Sequence, residues 1–254
     1  MRVDFGITAK DNARYRLGFP DSFFERLSLF GIGREGQRVL DLGTGAGSMA
    51  RGLARRRCEV VGLDSSAEYV AEARRLDKKA DVSISYVRAA AEDTGLEDDG
   101  FDVIAAGQSW HWFDSAQVIP ECIRLLIPGG SLVIAYFDWL ALPGSVVEAT
   151  EQILREYEPE FDPAGGSGLH PQWLKDLAVA GFQNIETFSY GIRASYKHEA
   201  WRGRIRACPA VGGSLSPDKL AACDAELKAM MERRFPEDPL SIQHRIFAVI
   251  AKGP

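Results

Sequence analysis

Residues 39–47 read Val-Leu-Asp-Leu-Gly-Thr-Gly-Ala-Gly (VLDLGTGAG), an apolar run that ends in three glycines at every second position. A short apolar run closed by glycine is typical of a buried strand followed by a tight turn. From Ser48 to Arg57 apolar residues recur at helical spacing, with arginines on the other side. The stretch therefore predicts a strand, a glycine turn and a helix, and bare backbone at such a helix N-terminus can approach a bound ligand closely.

Strand and helix patterns continue to alternate along the chain. After the strand that begins near Arg38, the sequence predicts six more strands, at 59–64, 84–90, 101–106, 131–137, 185–196 and 244–252. Helical patterns lie in three of the four connections between the first five of these strands, and such alternation is typical of parallel strands covered by helices on both faces. The predicted fold class is therefore α/β, with a doubly wound, mostly parallel seven-stranded sheet and helical inserts.

The domain organisation follows from where the alternation of strand and helix patterns is interrupted. We expect a single domain over residues 1–254 with a core at 36–138, which holds the regular alternation. Residues 1–35 precede it as an arm or lid. Proline- and glycine-rich segments at 139–184 and helical segments at 197–243 interrupt the later strands, so we expect these inserts to form a cap over the substrate. The segments 185–196 and 244–252 are the closing strands.

Composition excludes several classes of function. The chain has 254 residues and a formal net charge of −6, which argues against a nucleic-acid partner because phosphate binding relies on clustered Lys and Arg. No stretch reaches the ~18 apolar residues of a membrane helix, and the first residues lack the apolar core of a signal peptide. The four cysteines are widely spaced, without metal-ligand spacing. We expect a cytoplasmic protein with no metal, no membrane contact and no obligate protein partner.

Three residues discriminate between ligands of the glycine turn. Ser48 stands where a dinucleotide fingerprint prefers glycine or alanine. Asp41 precedes the first glycine by two residues, where a carboxylate would repel a pyrophosphate but can accept a hydrogen bond from a ligand ammonium. Asp64 ends the second strand, where a carboxylate can accept from both ribose hydroxyls. The pattern favours a ligand with an amino group and a ribose over a nicotinamide dinucleotide.

With these residues in place, the stretch 39–138 resembles class I S-adenosylmethionine-dependent methyltransferases of the small-molecule type 11 group. VLDLGTGAG is similar to the first motif of that family and EVVGLD (59–64) to the second. The turn 90–93 followed by FDVI (101–104) resembles the family's adenine-contact turn and fourth strand. LLIPGG (125–130) is similar to its L-x-P-G-G turn. The resemblance implies a Rossmann-like methyltransferase fold.

The resemblance also implies a set of cofactor contacts. S-adenosylmethionine, and its product S-adenosylhomocysteine, would be held by Asp41, Gly43, Thr44, Gly45, Gly47, Asp64, Ser65, Ala91 and Glu92. The family often has an acidic residue where Ala90 stands, so here Glu92, Asp93 or the backbone must contact the adenine amino group. Residues 12–20 resemble a segment that covers the cofactor in relatives, which implies that Arg16 binds the methionine carboxylate. The alternative is a surface arginine on a solvated arm.

Residues 107–114, GQSWHWFD, follow the fourth strand at its carboxyl end, where open parallel sheets bind their ligands. We expect Gln108 to contact the methionine part of the cofactor and Trp110 to line the binding site of the cofactor or the acceptor. Trp112 and Phe113 are expected to pack in the core. Two roles are open for His111. It is either a catalytic base that takes a proton from a hydroxyl acceptor or a structural residue whose ring fixes the turn.

The inserts should supply the acceptor pocket. If residues 201–208 (WRGRIRAC) are extended, their three arginines share one face and Arg206 binds an anionic acceptor. This segment also resembles the arginine-containing loop of trans-aconitate methyltransferases. The alternative is a charged strand edge that prevents aggregation. Trp139 is a candidate pocket wall, with core packing of the cap as the alternative.

The predicted reaction is an in-line methyl transfer from S-adenosylmethionine to a small molecule, with the oxygen of a carboxylate or hydroxyl as the acceptor atom. Such a displacement needs alignment and exclusion of water, and a hydroxyl acceptor also needs a base. A non-catalytic S-adenosylmethionine-binding protein on the same scaffold is the main alternative, and a nicotinamide-dependent oxidoreductase is a third. Ser48 and the LLIPGG turn argue against the third.

Overall fold

The strands form one seven-stranded sheet, as seen in a computed structural model that describes residues 5–161 and 167–254. In chain order the strands are β1 (Arg38–Leu42), β2 (Glu59–Asp64), β3 (Ser85–Arg88), β4 (Phe101–Gly107), β5 (Leu126–Trp139), β6 (Gln183–Tyr196) and β7 (Leu240–Lys252). Their order across the sheet is β3-β2-β1-β4-β5-β7-β6. The pairs β1–β2, β1–β4, β2–β3 and β4–β5 are parallel, which confirms the predicted fold class.

Strand β7 runs antiparallel to β5. The amide of Gly253 donates to the carbonyl of Gly130, and the amide of Leu140 donates to the carbonyl of Gln243, each at 2.9 Å. Residues further along β5 therefore pair with residues earlier in β7, as in an antiparallel pair. Mixed sheets of this kind carry their antiparallel strand beside an otherwise parallel set, which agrees with a mostly parallel sheet.

Ten helices lie before and between these strands within the described residues. They are α1 (Phe5–Tyr15), α2 (Asp21–Leu29), α3 (Ser48–Ala54), α4 (Ala67–Ala80), α5 (Ser115–Leu125), α6 (Val146–Tyr157), α7 (Pro171–Val179), α8 (His198–Arg206), α9 (Pro209–Gly212) and α10 (Pro217–Arg234). Ser66, Asp114 and Ser216 cap α4, α5 and α10 by accepting from a backbone amide of the first turn. Among these ten helices, none combines the length and apolar content needed to cross a membrane.

The structure corrects the prediction that residues 201–208 are extended. Residues 198–206 form α8, in which Trp201, Gly203 and Ile205 are buried. Burial at every second residue imitates the pattern of a strand. Here it arises because α8 packs against α1, α9 and α10, so its buried positions are not confined to one helical stripe. The predicted arm also contains two helices, α1 and α2.

The chain divides into two compact units. Unit 1 comprises Met1–Arg16, Asp138–Leu169 and Tyr190–Arg245, and unit 2 comprises Leu17–Phe137, His170–Ser189 and Ile246–Pro254. The chain therefore passes from one unit to the other within β5, β6 and β7. Residues 170–184, which were expected in the cap, belong to unit 2 instead. Their helix α7 buries Trp173 in the hydrophobic core of that unit.

Strand register brings the carboxyl ends of β1, β2 and β4 together in unit 2. Leu42 pairs with Leu63, and Asp41 pairs with Ala105 on the other side of β1. Because these strands are parallel, the segments that follow β1, β2 and β4 leave the sheet at the same edge. The glycine turn, Asp64 and the GQSWHWFD segment therefore share that edge.

Candidate active site

The three glycines of the turn after β1 differ in their surroundings. All adopt left-handed backbone, with φ of +68° at Gly43, +54° at Gly45 and +77° at Gly47. A Cβ on Gly43 would lie 2.6 Å from the Cβ of Ser109, so this position is needed for close packing. Around Gly45 the nearest atom to such a Cβ is a ring carbon of Tyr69 at 3.8 Å. The backbone of Gly45 is thus the open part of the turn, where a ligand can approach.

The carboxylate of Asp41 stabilises the glycine turn through hydrogen bonds. Its Oδ2 accepts from the hydroxyl of Thr44 at 2.7 Å and from the amide of Ala50, in the first turn of α3, at 3.0 Å. Its Oδ1 is buried and has no donor. Burial raises the pKa of Asp41 to about 6, and the nearby charge of Asp64 acts in the same direction. An orphaned carboxylate oxygen in a buried setting is costly unless a donor arrives, which suits a ligand ammonium.

Asp64 joins the glycine turn to the next helix. One carboxylate oxygen accepts from the amide of Gly45 at 2.8 Å, and the other accepts from the amide of Ser66 at 2.9 Å. Burial raises the pKa of Asp64, and the backbone amides of Ser66, Gly45 and Ser65 partly offset this effect. Each carboxylate oxygen has a second lone pair, so the side chain retains capacity to accept from hydroxyl groups of a ligand.

The predicted adenine turn is built by a backbone bridge between Ala90 and Asp93. Ala91 is buried at the apex, and Glu92 is half-buried. Glu92 accepts from the amide of Asp114 at 3.1 Å, and it thereby connects this turn to the N-terminus of α5. Ser65 contributes its carbonyl to the Nε of Arg88 at 3.1 Å. Ser65 and the turn 90–93 therefore lie in unit 2, beside the ends of β2 and β3.

Gln108 leaves β4 in a strained conformation. Its φ is +60°, a region that non-glycine residues rarely adopt and that clusters at functional sites. The backbone is fixed by a hydrogen bond from the Gln108 amide to the carbonyl of Ala135 at 2.8 Å, and the next residue, Ser109, donates to the carbonyl of Leu42 at 2.8 Å. The side chain of Gln108 is buried at this edge.

The structure reverses the expected roles of two tryptophans in the segment that follows. Trp110 is only 3 % exposed and belongs to the hydrophobic core of unit 2, where its ring meets Phe113 edge-on at 6.0 Å. Trp112 was expected in the core, but it is 45 % exposed. The reason is that residues 110–112 form a 3₁₀ turn, in which successive side chains point about 120° apart. Packing of Phe113 against the core was predicted correctly.

His111 is tied to a buried tyrosine that the sequence did not single out. The hydroxyl of Tyr136, on β5, accepts from the backbone amide of His111 at 3.1 Å and also contacts the ring nitrogen Nδ1 of His111. The ring of Tyr136 lies 4.7 Å from that of His170, which is stacked on Trp173 at 4.0 Å. Two histidines thus flank one tyrosine within unit 2.

Sequence reasoning missed Tyr136 and His170 because their partners lie far away along the chain. One signal for Tyr136 was present: it falls near the carboxyl end of a predicted strand, at the edge where parallel sheets bind ligands. His170 carried no comparable signal, since it stands in a proline- and glycine-rich stretch before α7. Within residues 5–161 and 167–254, no group of three or more His, Cys, Asp or Glu residues could hold a metal ion.

Three predicted site residues belong to unit 1. Arg16 follows α1 and donates its amide to the carbonyl of Asn12 at 3.0 Å. Trp139 is half-buried, and its indole nitrogen donates to Oε1 of Glu151 at 3.0 Å. Arg206 lies on α8 and forms ion pairs with Glu199, Asp224 and Asp11. Its guanidinium therefore already has carboxylate partners, whereas an anion clamp requires an unpaired one.

The site residues of unit 2 fit S-adenosylmethionine on three counts. Asp41 offers a buried oxygen without a donor, Gly45 offers open backbone at the helix end, and Asp64 offers a carboxylate beside it. An ammonium donor could fill the place beside Asp41 Oδ1, a ligand could approach the backbone of Gly45, and ribose hydroxyls could donate to Asp64.

Comparison with known proteins agrees with this geometry. Residues 40–134 match the family model described as a methyltransferase domain. The chain is 30% identical over 181 residues to a ubiquinone biosynthesis O-methyltransferase of Xylella fastidiosa, covering 67% of this chain and 68% of that protein. It is 31% identical over 162 residues to an uncharacterized methyltransferase of Mycobacterium tuberculosis, covering 64% of this chain and 63% of the relative's length.

Solved structures show the same fold. A protein described as a type II methyltransferase from Anaeromyxobacter dehalogenans superposes with a TM-score of 0.65 at 23% identity, over 94% of this chain and 98% of that one. Phosphoethanolamine N-methyltransferase 2 of Haemonchus contortus, in complex with phosphomonomethylethanolamine and S-adenosylhomocysteine, superposes with a TM-score of 0.53 at 22% identity. That alignment covers 90% of this chain and 51% of the other.

Proposed function

We propose that this chain, which belongs to the class I S-adenosylmethionine-dependent methyltransferases, transfers a methyl group to a hydroxyl oxygen of a small-molecule acceptor. The observation that carries the choice of a hydroxyl is the contact between His111 and Tyr136 at the end of β4. A carboxylate acceptor is already ionised and needs no base, whereas a hydroxyl must lose a proton. A histidine whose ring is held by a buried tyrosine supports the second case. The Xylella relative is named an O-methyltransferase, which also favours oxygen.

S-adenosylmethionine, when bound, supplies a methyl group that its sulfonium has already activated. In the proposed site the glycine turn holds the cofactor through Gly43, Thr44, Gly45 and Gly47, and Asp41 Oδ1 accepts from its amino group. Asp64 and Ser65 bind the ribose region, Ala91 and Glu92 bind the adenine, and Gln108 binds the methionine part.

His111 is the proposed base, and Tyr136 decides which ring nitrogen carries the proton. The Tyr136 oxygen accepts from the His111 amide and retains one more lone pair. If Nδ1–H donates to that lone pair, Nε2 is the basic nitrogen and takes the proton from the acceptor hydroxyl. The acceptor oxygen then bonds to the methyl carbon as the carbon–sulfur bond breaks, and the proton remains on His111. Tyr136 acts as a positioning residue in this scheme.

The experiment combines cofactor binding with a pH–rate profile. Calorimetry should detect binding of S-adenosylhomocysteine, and a screen of hydroxyl compounds with radiolabelled cofactor should identify an acceptor. With that acceptor, wild type should show an ionisation near neutrality that is lost in His111→Ala, with turnover lowered at least tenfold, since general-base catalysis contributes ~10²–10⁴-fold. Tyr136→Phe should retain the ionisation at a displaced pH with a smaller loss.

Unchanged turnover and an unchanged pH profile in a folded His111→Ala variant would exclude the base. Cofactor affinity is the control, because both variants should bind S-adenosylhomocysteine as wild type does. Methylation confined to carboxylates would exclude the hydroxyl acceptor.

A further inference from the structure

An ion pair between two helices lies beside the glycine turn of unit 2. Nη1 of Arg51, on α3, donates to Oδ1 of Asp77, on α4, at 3.1 Å. The side chain of Asp77 is 7 % exposed and that of Arg51 is 13 % exposed, so both charges are largely withdrawn from water. Withdrawing two charges from water is costly, and a pair of this kind is weak evidence of stabilisation by itself. Its position beside the cofactor site gives it another role.

The strand residues next to the pair share one face of the sheet. Asp41 on β1 pairs with Gly62 on β2, and Gly62 pairs with Tyr86 on β3, so Asp41 and Tyr86 project to the same side. A Cβ on Gly62 would lie 2.6 Å from the Tyr86 ring and 3.1 Å from Oγ1 of Thr44. The Tyr86 ring therefore lies over Gly62, beside the Thr44 hydroxyl that donates to Asp41.

Arg51 reaches the same region from α3. A Cβ on Gly47 would lie 2.7 Å from Nη1 of Arg51 and 2.8 Å from the hydroxyl of Tyr86, so both groups border the last glycine of the turn. Asp41 accepts from the amide of Ala50, the residue before Arg51. Burial raises the pKa of Asp41 to about 6, and the positive charge of Arg51 acts in the opposite direction. Arg51 is therefore a cation within electrostatic reach of Asp41.

Asp41 nevertheless keeps one carboxylate oxygen without a donor. Its Oδ1 is buried and makes no hydrogen bond within residues 5–161 and 167–254. A buried carboxylate oxygen near a flexible cation would ordinarily pair with it. The guanidinium of Arg51 is instead turned to Asp77. The other groups that face Asp41 do not fill the place, because Asp64 is itself an acceptor and the Tyr86 hydroxyl makes no hydrogen bond to Asp41.

We propose that Asp77 is a positioning residue of the cofactor site, which holds the Arg51 guanidinium away from Asp41 and so reserves Asp41 Oδ1 for the ammonium group of the ligand. Asp77 acts through Arg51 and touches no part of the cofactor. This role rests on the proposed contact between Asp41 and the amino group of S-adenosylmethionine. A carboxylate oxygen that no protein group satisfies favours adenosine compounds with a free amino group over those without one.

Calorimetric titration with two ligands tests this role. S-adenosylhomocysteine carries the amino group, whereas methylthioadenosine lacks the whole amino acid part. In Asp77→Asn, Arg51 loses its partner and turns to Asp41. Affinity for S-adenosylhomocysteine should then fall about tenfold or more, while affinity for methylthioadenosine should stay within about twofold of wild type.

Two further variants separate this role from a structural one. Asp77→Asn/Arg51→Met removes both charges and should restore the affinity for S-adenosylhomocysteine to within about threefold of wild type. Glu72→Gln breaks another ion pair of α4 and is the matched control. It should bind both ligands as wild type does.

A second measurement needs no ligand. Carbon-13 NMR titration of the Asp41 carboxyl should give a pKa of about 6 in wild type and a clearly lower pKa in Asp77→Asn, because Arg51 then pairs with the carboxylate. In Asp77→Asn/Arg51→Met the pKa should return to the wild-type value or rise above it. An ion pair that served stability alone would leave this pKa unchanged.

Circular dichroism and thermal unfolding would establish that each variant is folded, and Asp77→Ser replaces Asp77→Asn if the asparagine variant is not. Loss of folding in both, an unchanged Asp41 pKa, equal losses for the two ligands, or a double variant that binds as weakly as Asp77→Asn would overturn the role of Asp77. A lowered pKa with unchanged affinity for S-adenosylhomocysteine would overturn the contact of Asp41 with the amino group. Binding as expected, without methyl transfer to any hydroxyl compound, would overturn the proposed function alone.

Discussion

Asp64, which belongs to the proposed cofactor site, also stabilises the fold through its carboxylate. It holds the amide of Gly45, which is the open part of the glycine turn, and the amide of Ser66 at the N-terminus of α4. These two bonds fix the turn before any ligand arrives. A preformed site loses less conformational freedom on binding, so under the proposed function we expect Asp64 to contribute to affinity both by contact and by preorganisation.

We therefore expect Asp64→Ala to weaken the binding of S-adenosylhomocysteine by ~1–3 kcal/mol, the cost of losing hydrogen bonds to a charged group. Calorimetric titration measures this difference. Asp99→Asn, a change at an exposed carboxylate that leaves a residue tolerant of left-handed backbone, is the matched control and should bind as wild type does. Unchanged affinity in Asp64→Ala, or tight binding of NAD by wild type, would contradict the assignment.

Single residues were predictable where their chemistry is local in sequence. The glycine turn and its two aspartates, Asp41 and Asp64, lie within or directly after the strands that position them. Trp110 and Trp112 were not predictable, because a one-residue step around a 3₁₀ turn exchanges a buried position for an exposed one. Tyr136 depends on a contact made across 25 residues, for which periodicity gives no signal.

At the scale of elements, α8 shows why a local pattern can mislead. Its buried residues alternate as in a strand, and the helix is enclosed by α1, α9 and α10. Helix caps were more informative, because Ser66 and Ser216 act through amides only three residues away. The sequence therefore predicted local hydrogen bonds such as helix caps, but it did not predict the burial of a helix that is enclosed on several sides.

Gly203 permits the close packing of α8 on α1. A Cβ at this position would lie 2.3–2.5 Å from three ring atoms of Tyr15, including the one nearest the backbone. Alanine favours a helix over glycine by about 1 kcal/mol. Overpacking typically costs about 1–3 kcal/mol, and three ring atoms of Tyr15 below 3 Å, one of them the atom bonded to Cβ, place this clash at about 2–3 kcal/mol. We expect Gly203→Ala to lower the free energy of unfolding by about 1–2 kcal/mol, measured by urea denaturation.

The double variant Tyr15→Ala/Gly203→Ala isolates the cause. If the clash with the ring is responsible, the two substitutions together should cost at least ~1 kcal/mol less than the sum of the single variants. Additive costs, or a Gly203→Ala variant as stable as wild type, would show that α1 does not pack on this glycine.

For the whole molecule, the alternation of strands and helices was sufficient to predict a seven-stranded, mostly parallel sheet. The division into two units was not predictable, because β5, β6 and β7 each contribute residues to both. The hydrophobic pattern of a strand continues along its whole length. It therefore does not show the residue at which the chain passes from one unit to the other. Residues 170–184 were placed in the cap because the proline- and glycine-rich stretch 139–184 interrupts the alternation of strands and helices.

Two buried groups, one in each unit, give the stability of the fold opposite dependences on pH. Burial raises the pKa of Asp41 from 3.8 to about 6, so the folded protein binds this proton more tightly and stability falls as pH rises through that interval. Burial lowers the pKa of His244 from 6.5 to about 4, so the unfolded chain binds that proton more tightly. Stability on this account falls as pH drops from about 6.5 to about 4.

Each of these effects amounts to roughly 3 kcal/mol at most, at 1.36 kcal/mol for each pKa unit. Relative to wild type, Asp41→Asn should therefore gain stability as pH rises from 4 to 7, because it lacks the ionisation penalty. His244→Gln should gain stability relative to wild type as pH falls from 7 to 4. Urea denaturation at several pH values measures both differences, with Asp99→Asn as a variant whose curve should parallel wild type. Parallel curves for Asp41→Asn or for His244→Gln would show that the substituted group is not desolvated in the folded protein.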